Sequence, residues 1–173
     1  MLNDIIIVKQ KKTKKDCGAG IGRVTREFLL KVFQQTDLVE QNPIFVEQAK
    51  TYVPPGRVQN FFCNGLQNFT PEVQRYDAIW SQWVLGHLND DDFVAFFERC
   101  KTGVKPGGLI FVKENICKSG FVIDDDDSSM TRSDPLIKRL FARAGLRIIK
   151  QAQQNDFPPE IFQVNMYALD WDR

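Results

Sequence analysis

The chain has almost no net charge to work with: 23 lysines and arginines oppose 22 aspartates and glutamates over 173 residues, a formal +1. A field that weak does not steer a protein to nucleic acid or to a membrane surface, so neither is expected as a partner. Cysteine is sparse and badly spaced for metal. Cys17, Cys63, Cys100 and Cys117 form no CxxC pair, which points away from a zinc site or a disulfide framework and toward a reducing compartment, cytoplasmic and nuclear. No metal is expected. The apolar run Ile5 to Val8 is four residues long and is followed, not preceded, by lysines, the wrong length for a membrane span and the wrong order for a signal peptide. The chain contains a single histidine, His87, and no GK[ST] phosphate loop.

What is present reads as one α/β domain, since 173 residues suffice for one sizeable core and not for two. Residues 1–15, ending in KQKKTKK, form an atypical basic segment expected to be a solvated, disordered tail, and the domain proper spans 16–173. In IGRVTREFLLKVFQQT apolar residues fall at 21, 24, 28, 29, 32 and 33, a helical spacing. DLVE reads as a strand, and Asn42-Pro43 as an N-cap and first helical residue opening PIFVEQAKTYV. VQNFFC and YDAIWSQW are the next strands. NDDDFVAFFERCKTGV is a helix capped by Asn89, KPGG a turn, and LIFVKEN a further strand. An acidic loop, DDDDSSM, leads to SDPLIKRLFARAG, a helix with Ser133 at its cap and Gly145 just past its end. LRIIKQAQQ and FQVNMYAL close the chain as two strands. The order predicts a mostly parallel twisted sheet with an antiparallel C-terminal hairpin.

DCGAGIGR, residues 16–23, is the glycine turn such a sheet uses to bring backbone against a ligand. Its GxGxG spacing is not the GxGxxG of a dinucleotide site, and an ordinary tight turn is the alternative. Glu40, about 20 residues on, stands where an acid can grip a ribose diol.

The stretches DCGAGIGR, QWVLGHL and DDDDSSMTR, with PPEIF near the end, together resemble the protein α-N-terminal methyltransferase family over about Asp16 to Leu169. The resemblance implies a Rossmann-like class I S-adenosylmethionine methyltransferase fold. It also implies methylation of the α-amino group of proteins that begin with a small residue followed by Pro-Lys. By position, Gly18 and Arg23 would contact the methionine part of the cofactor and Gln82 its end. Glu40, with Gln41 and Asn42, would line the ribose edge, and Leu66 and Gln67 would flank the adenine. Asp127 and His87 match the family's catalytic pair. Asp124 would receive the substrate lysine, Asn115 a backbone carbonyl, Trp83 the proline ring, and Ser129 would contact the substrate. Ile161 and Phe162 would form an outer wall, Phe162 standing where the family commonly has tyrosine.

Each of these residues has a plainer reading. A lone histidine is by default structural, an aspartate run a solvated loop, and Trp83 a core aromatic of its strand. Trp80 and Trp171 carry no assignable role beyond packing. The resemblance also implies an N-terminal helical segment and an apolar strand before the glycine turn, and neither is recognisable here. Ile5 to Val8 could lead into that strand only through KQKKTKK, whose lysines would be costly to bury. Two other functions follow from that departure and from the fold: a shortened, non-catalytic methyltransferase-fold protein acting through a partner, and a small-molecule methyltransferase.

Overall fold

The computed structural model describes residues 13–155, 158 and 161–172. The expected basic tail up to residue 12, Ile5 to Val8 within it, and most of the NDFPPE connection lie outside the described residues. In chain order the strands are β1 (Thr13–Cys17), β2 (Gln35–Glu40), β3 (Val58–Cys63), β4 (Tyr76–Gln82), β5 (Val104–Ile116), β6 (Phe121–Asp124), β7 (Ser129–Arg132), β8 (Arg147–Gln153) and β9 (Gln163–Asp170). The helices are α1 (23–32), with a π-helical stretch at Thr25–Leu29, then α2 (Pro43–Tyr52), α3 (Asp90–Gly103) and α4 (Asp134–Arg143). Seven strands form one sheet ordered β3-β2-β1-β4-β5-β9-β8, while β6 and β7 pair separately. β1 to β5 run parallel, and β9 enters antiparallel between β5 and β8. The expected sheet and its C-terminal hairpin are both there.

The helix starts follow their side chains. Asn42 accepts from Ile44 N at 2.9 Å with Pro43 at the first helical position, and Asn89 accepts from Asp92 N at 2.8 Å ahead of three aspartates. Ser133 occupies the cap position of α4 but makes no capping hydrogen bond, so its expected role is positional only. α3 buries Phe93, Phe96 and Phe97 in the main core, where Phe93 and Phe97 meet Phe141 of α4, which in turn packs on Tyr167 of β9.

Three expectations are corrected. KPGG does not precede a strand; it is the start of β5, where the register against β4 shifts and Gly107 takes φ +75°, so a local irregularity absorbs the turn residues. The acidic loop is the tip of the β6–β7 hairpin, and DDDDSSM contributes residues to both of its strands. The third correction concerns the basic segment. Its boundary at residue 15 falls inside β1, because TKKDC is the central strand of the sheet and Lys14 and Lys15 are both 0% exposed.

Strand alternation sends these two lysines to opposite faces, and each meets ring faces. Lys14 Nζ lies 4.2 Å from the Trp80 ring centroid and 4.7 Å from that of Phe33. Lys15 Nζ lies 3.6 Å from Phe62 and 4.4 Å from Phe69. Aromatic quadrupoles offset part of the cost of burying an ammonium. They do not remove it: burial lowers the Lys15 pKa from 10.5 to about 8, despite the nearby Cys17, Asp37 and Asp16.

Candidate active site

At the carboxyl ends of β1, β2 and β4 lies a cavity of 470 Å³, the position at which open parallel sheets hold ligands. It is lined by Gly18, Gly20, Glu40, Gln41 and Asn42 from the ends of β1 and β2, by Leu66 and Gln67 after β3, and by Trp83, His87 and Asp127. Its volume lies within the range of about 300–1,000 Å³ that accommodates a small-molecule ligand.

The glycine turn is held from two directions. Gly18 has φ +67°, and a Cβ there would overlap the Val84 side chain, so both conformation and contact require glycine. The Glu40 carboxylate accepts from Gly20 N at 2.9 Å and from Asn42 N at 2.9 Å, tying the turn to the end of β2. Each of its oxygens keeps capacity for a second hydrogen bond. Behind the turn, buried Asp16 accepts from the Thr25 hydroxyl at 2.6 Å; burial outweighs that bond and raises its pKa to about 6.

Trp83 and His87 stand on a tight connection after β4. Trp83 is 40% exposed with φ +52°, and Leu85–His87 form a single 3-10 turn. Trp83 N donates to Lys113 O at 3.1 Å, and Lys113 Nζ sits 5.1 Å from the Trp83 ring centroid. Beneath the turn, Glu114 of β5 accepts from Val84 N at 3.0 Å and Leu85 N at 2.9 Å. Burial pushes the Glu114 carboxyl up to about 7, against the pull of these N–H groups and of Arg132. Arg132, 3% exposed, donates to Leu85 O at 3.0 Å, Leu88 O at 2.6 Å and Asp90 Oδ1 at 2.9 Å.

Not every expected site residue reaches this cavity. Arg23 and Gln82 line a neighbouring groove of 260 Å³ with Glu27, Phe28, Trp80 and Lys113, where Gln82 accepts from Trp80 Nε1 at 3.2 Å. Asn115, half-buried on β5, and the exposed Asp124, Ile161 and Phe162 lie outside the cavity lining, as does half-buried Ser129. Asp124 and Ser129 face each other across the β6–β7 hairpin that carries Asp127, and Asp124 caps its tip by accepting from Asp126 N at 3.0 Å. Val39, Phe45, Asn64, Val84, Leu88 and Ser128 also line the cavity and were not singled out. Apolar strand ends carry no signal of their own, although Val39, Val84 and Ser128 each adjoin a residue that was. Trp80 and Trp171 are core residues, at 2% and 9% exposure.

Among the described residues no cluster could hold a metal ion, the four cysteines are free thiols, and no helix is long and apolar enough to cross a membrane.

The strand order, with its antiparallel strand inserted next to the edge and a glycine turn at the end of β1, defines a Rossmann-like class I S-adenosylmethionine-dependent methyltransferase fold. A solved Leishmania major S-adenosylmethionine-dependent methyltransferase superposes with a TM-score of 0.91 at 39% identity, over 97% of this chain and 69% of that one. Residues 2–170 match the family described as AdoMet-dependent proline di-methyltransferases, and the chain belongs to that family. It is 51% identical over 156 residues to the zebrafish N-terminal Xaa-Pro-Lys N-methyltransferase 1, covering 89% of this chain and 70% of the relative. It is 48% identical over 162 residues to the Arabidopsis thaliana alpha N-terminal protein methyltransferase 1, covering 91% of this chain and 59% of the relative.

Proposed function

We propose that the protein methylates the α-amino group of protein N-termini that begin with a small residue followed by Pro-Lys, using S-adenosylmethionine. The observation that carries this reading is a single cavity lined by Gly18, Gly20 and Glu40 together with His87 and Asp127. A nucleoside end and an acid–base pair thus share one volume.

The donor set fits the cofactor. Glu40, with two oxygens of spare acceptor capacity, suits a ribose diol, Leu66 suits a purine face, and no phosphate-binding lysine is needed because the molecule carries no phosphate. Gly18, Gln41, Asn42 and Gln67 complete that wall, and Arg23 and Gln82 extend it toward the neighbouring groove. When bound, the cofactor supplies a methyl group on a sulfonium. A protein α-amino group, with a pKa of about 8, is largely protonated at neutral pH and has no lone pair to offer until a base accepts its proton. In this reading His87 and Asp127, both in the cavity lining, accept it. Trp83 offers a flat apolar face to the proline ring, and the aspartates of the β6–β7 hairpin, Asp124 among them, offer negative charge to the lysine that follows. Asn115, Ser129, Ile161 and Phe162, outside the cavity lining, would contact the peptide beyond its first residues in this reading. The proposed place of action is the cytoplasm and nucleus, compartments that keep thiols reduced.

Mass spectrometry of a Pro-Lys-starting peptide after incubation with protein and S-adenosylmethionine tests the reading; stepwise gains of one methyl group are expected. No gain on the peptide but methylation of a small amine would make it a small-molecule enzyme. No cofactor binding by calorimetry would leave a non-catalytic fold acting through a partner.

A further inference from the structure

His87 and Asp127 come from separate pieces of the chain, the 3-10 turn after β4 and the β6–β7 hairpin, and neither piece belongs to the main sheet pairing around the cavity. What holds one to the other is the buried Arg132, while the buried Glu114 of β5 fixes the turn from the other end. Arg132 ends β7. Its guanidinium reaches across to Leu85 O and Leu88 O, the carbonyls flanking the exit of the turn, and also pairs with Asp90 at the start of α3. Glu114 takes the N–H groups of Val84 and Leu85 at the turn's entrance. A one-turn helix therefore has a carboxylate at its N-terminal end and a guanidinium at its C-terminal end, each complementing the partial charge there.

The two pieces also touch without an intervening side chain. A Cβ at Gly86, in the middle of the turn, would stand 3.1 Å from Met130 O and 3.4 Å from Ser129 Cβ, both on the hairpin. Backbone thus packs on backbone between His87 and Asp127. We infer that Arg132, supported by Glu114, is a positioning residue that locks the His87 turn to the Asp127 hairpin and so sets the geometry of the proton-accepting pair. This rests on the methyl-transfer reading for its catalytic meaning, and on the hydrogen bonds alone for its structural one. Arginine is required because lysine presents one donor group where two carbonyls and a carboxylate need a planar fork.

The test uses the full chain with Arg132→Met and Arg132→Lys, and two readouts. His87 is the only histidine, so its imidazole gives one assignable set of nuclear magnetic resonance signals that report on the turn whether or not the protein is active. The Arg132→Met variant is expected to shift and broaden those signals while calorimetry shows S-adenosylmethionine affinity within about twofold of wild type; kcat on a Pro-Lys peptide should fall by about 100-fold, the scale of an ångström of misplacement. Arg132→Lys, which keeps the charge and folds more readily, should recover only part of kcat. Unmoved His87 signals in folded Arg132→Met, or cofactor affinity lost in step with kcat in both variants, overturn the proposal. If wild-type protein methylates no peptide, the proposed function fails, and the His87 signals still decide the positioning role.

Discussion

Replacing Lys15 with methionine should make the protein more stable at neutral pH. The ammonium sits in the middle of the sheet with no hydrogen-bond partner among the described residues, and burial lowers its pKa from 10.5 to about 8. Each pKa unit corresponds to about 1.4 kcal/mol, so keeping Lys15 charged in the fold costs about 3 kcal/mol at pH 7. The faces of Phe62 and Phe69 return up to about 2 kcal/mol that methionine recovers only in part. The net gain expected for Lys15→Met, whose side chain is similar in length and needs no hydration, is therefore about 1–3 kcal/mol.

The sign of the pH dependence follows from proton counts. The unfolded chain holds the Lys15 proton up to about 10.5 and the folded chain releases it near about 8, so between those values the unfolded state binds more protons. Stability attributable to this site then rises with pH. The cysteines act oppositely. Burial pushes Cys17 from 9.0 up to about 12 and Cys100 well above its ordinary value, so both withdraw stability as pH climbs past 9. The quantity to follow is accordingly the difference between variant and wild type in urea unfolding, measured from pH 7 to 10.5. It should be largest at pH 7 and shrink toward zero at the alkaline end. A variant less stable than wild type at pH 7, or a difference that stays constant with pH, would refute the account of β1 as a strand that tolerates a charged lysine at a cost.

Other perturbations separate the parts of the molecule. Asp16, neutral-favouring in the fold with a pKa raised from 3.8 to about 6, contributes stability that is complete below 3.8 and lost as pH rises through 6; Asp16→Asn should flatten urea midpoints across that window. Gly18→Ala forces a Cβ into Val84 at positive φ and should weaken S-adenosylmethionine binding at least tenfold by calorimetry, about 1.4 kcal/mol. Asp127→Asn should do the reverse, abolishing peptide methylation while leaving cofactor affinity within about twofold, a ratio worth less than about 0.5 kcal/mol. Tyr76→Phe removes the hydroxyl that donates to buried Asp37 at 2.9 Å, beside the Arg75 bond at 2.8 Å, and should cost about 1 kcal/mol in thermal or urea unfolding.

The sheet was legible because its strands are separated by strong punctuation: Asn42-Pro43, Asn89 with its aspartates, and Gly145 each mark a boundary that the fold keeps. β1 was not legible, because TKKDC has the composition of a solvated segment. Tertiary contacts override it, with Trp80, Phe33, Phe62 and Phe69 supplied by other elements to receive the two ammoniums. KPGG misled for a related reason, since turn residues can be absorbed as an irregularity within a long strand. At the site, Glu40 stood out by its spacing from the glycine turn and His87 and Asp127 by the family resemblance, whereas Glu114 and Arg132 did not. A buried residue that serves backbone N–H and C=O groups leaves no spacing pattern to read.

The β6–β7 hairpin divides its labour along its length. Its base, where Phe121 pairs with Arg132, is bound to the body of the protein through that arginine, while Val122 through Asp126 toward its outer end are all exposed. Substitutions at Val122 through Asp126 disturb little of the core, so this stretch can change its charge or shape almost independently of folding, with Asp127 beside it left in place. Under the proposed function, selectivity for the residues after the amino terminus becomes a replaceable part, and the hairpin short of Asp127 is the place to graft new preferences.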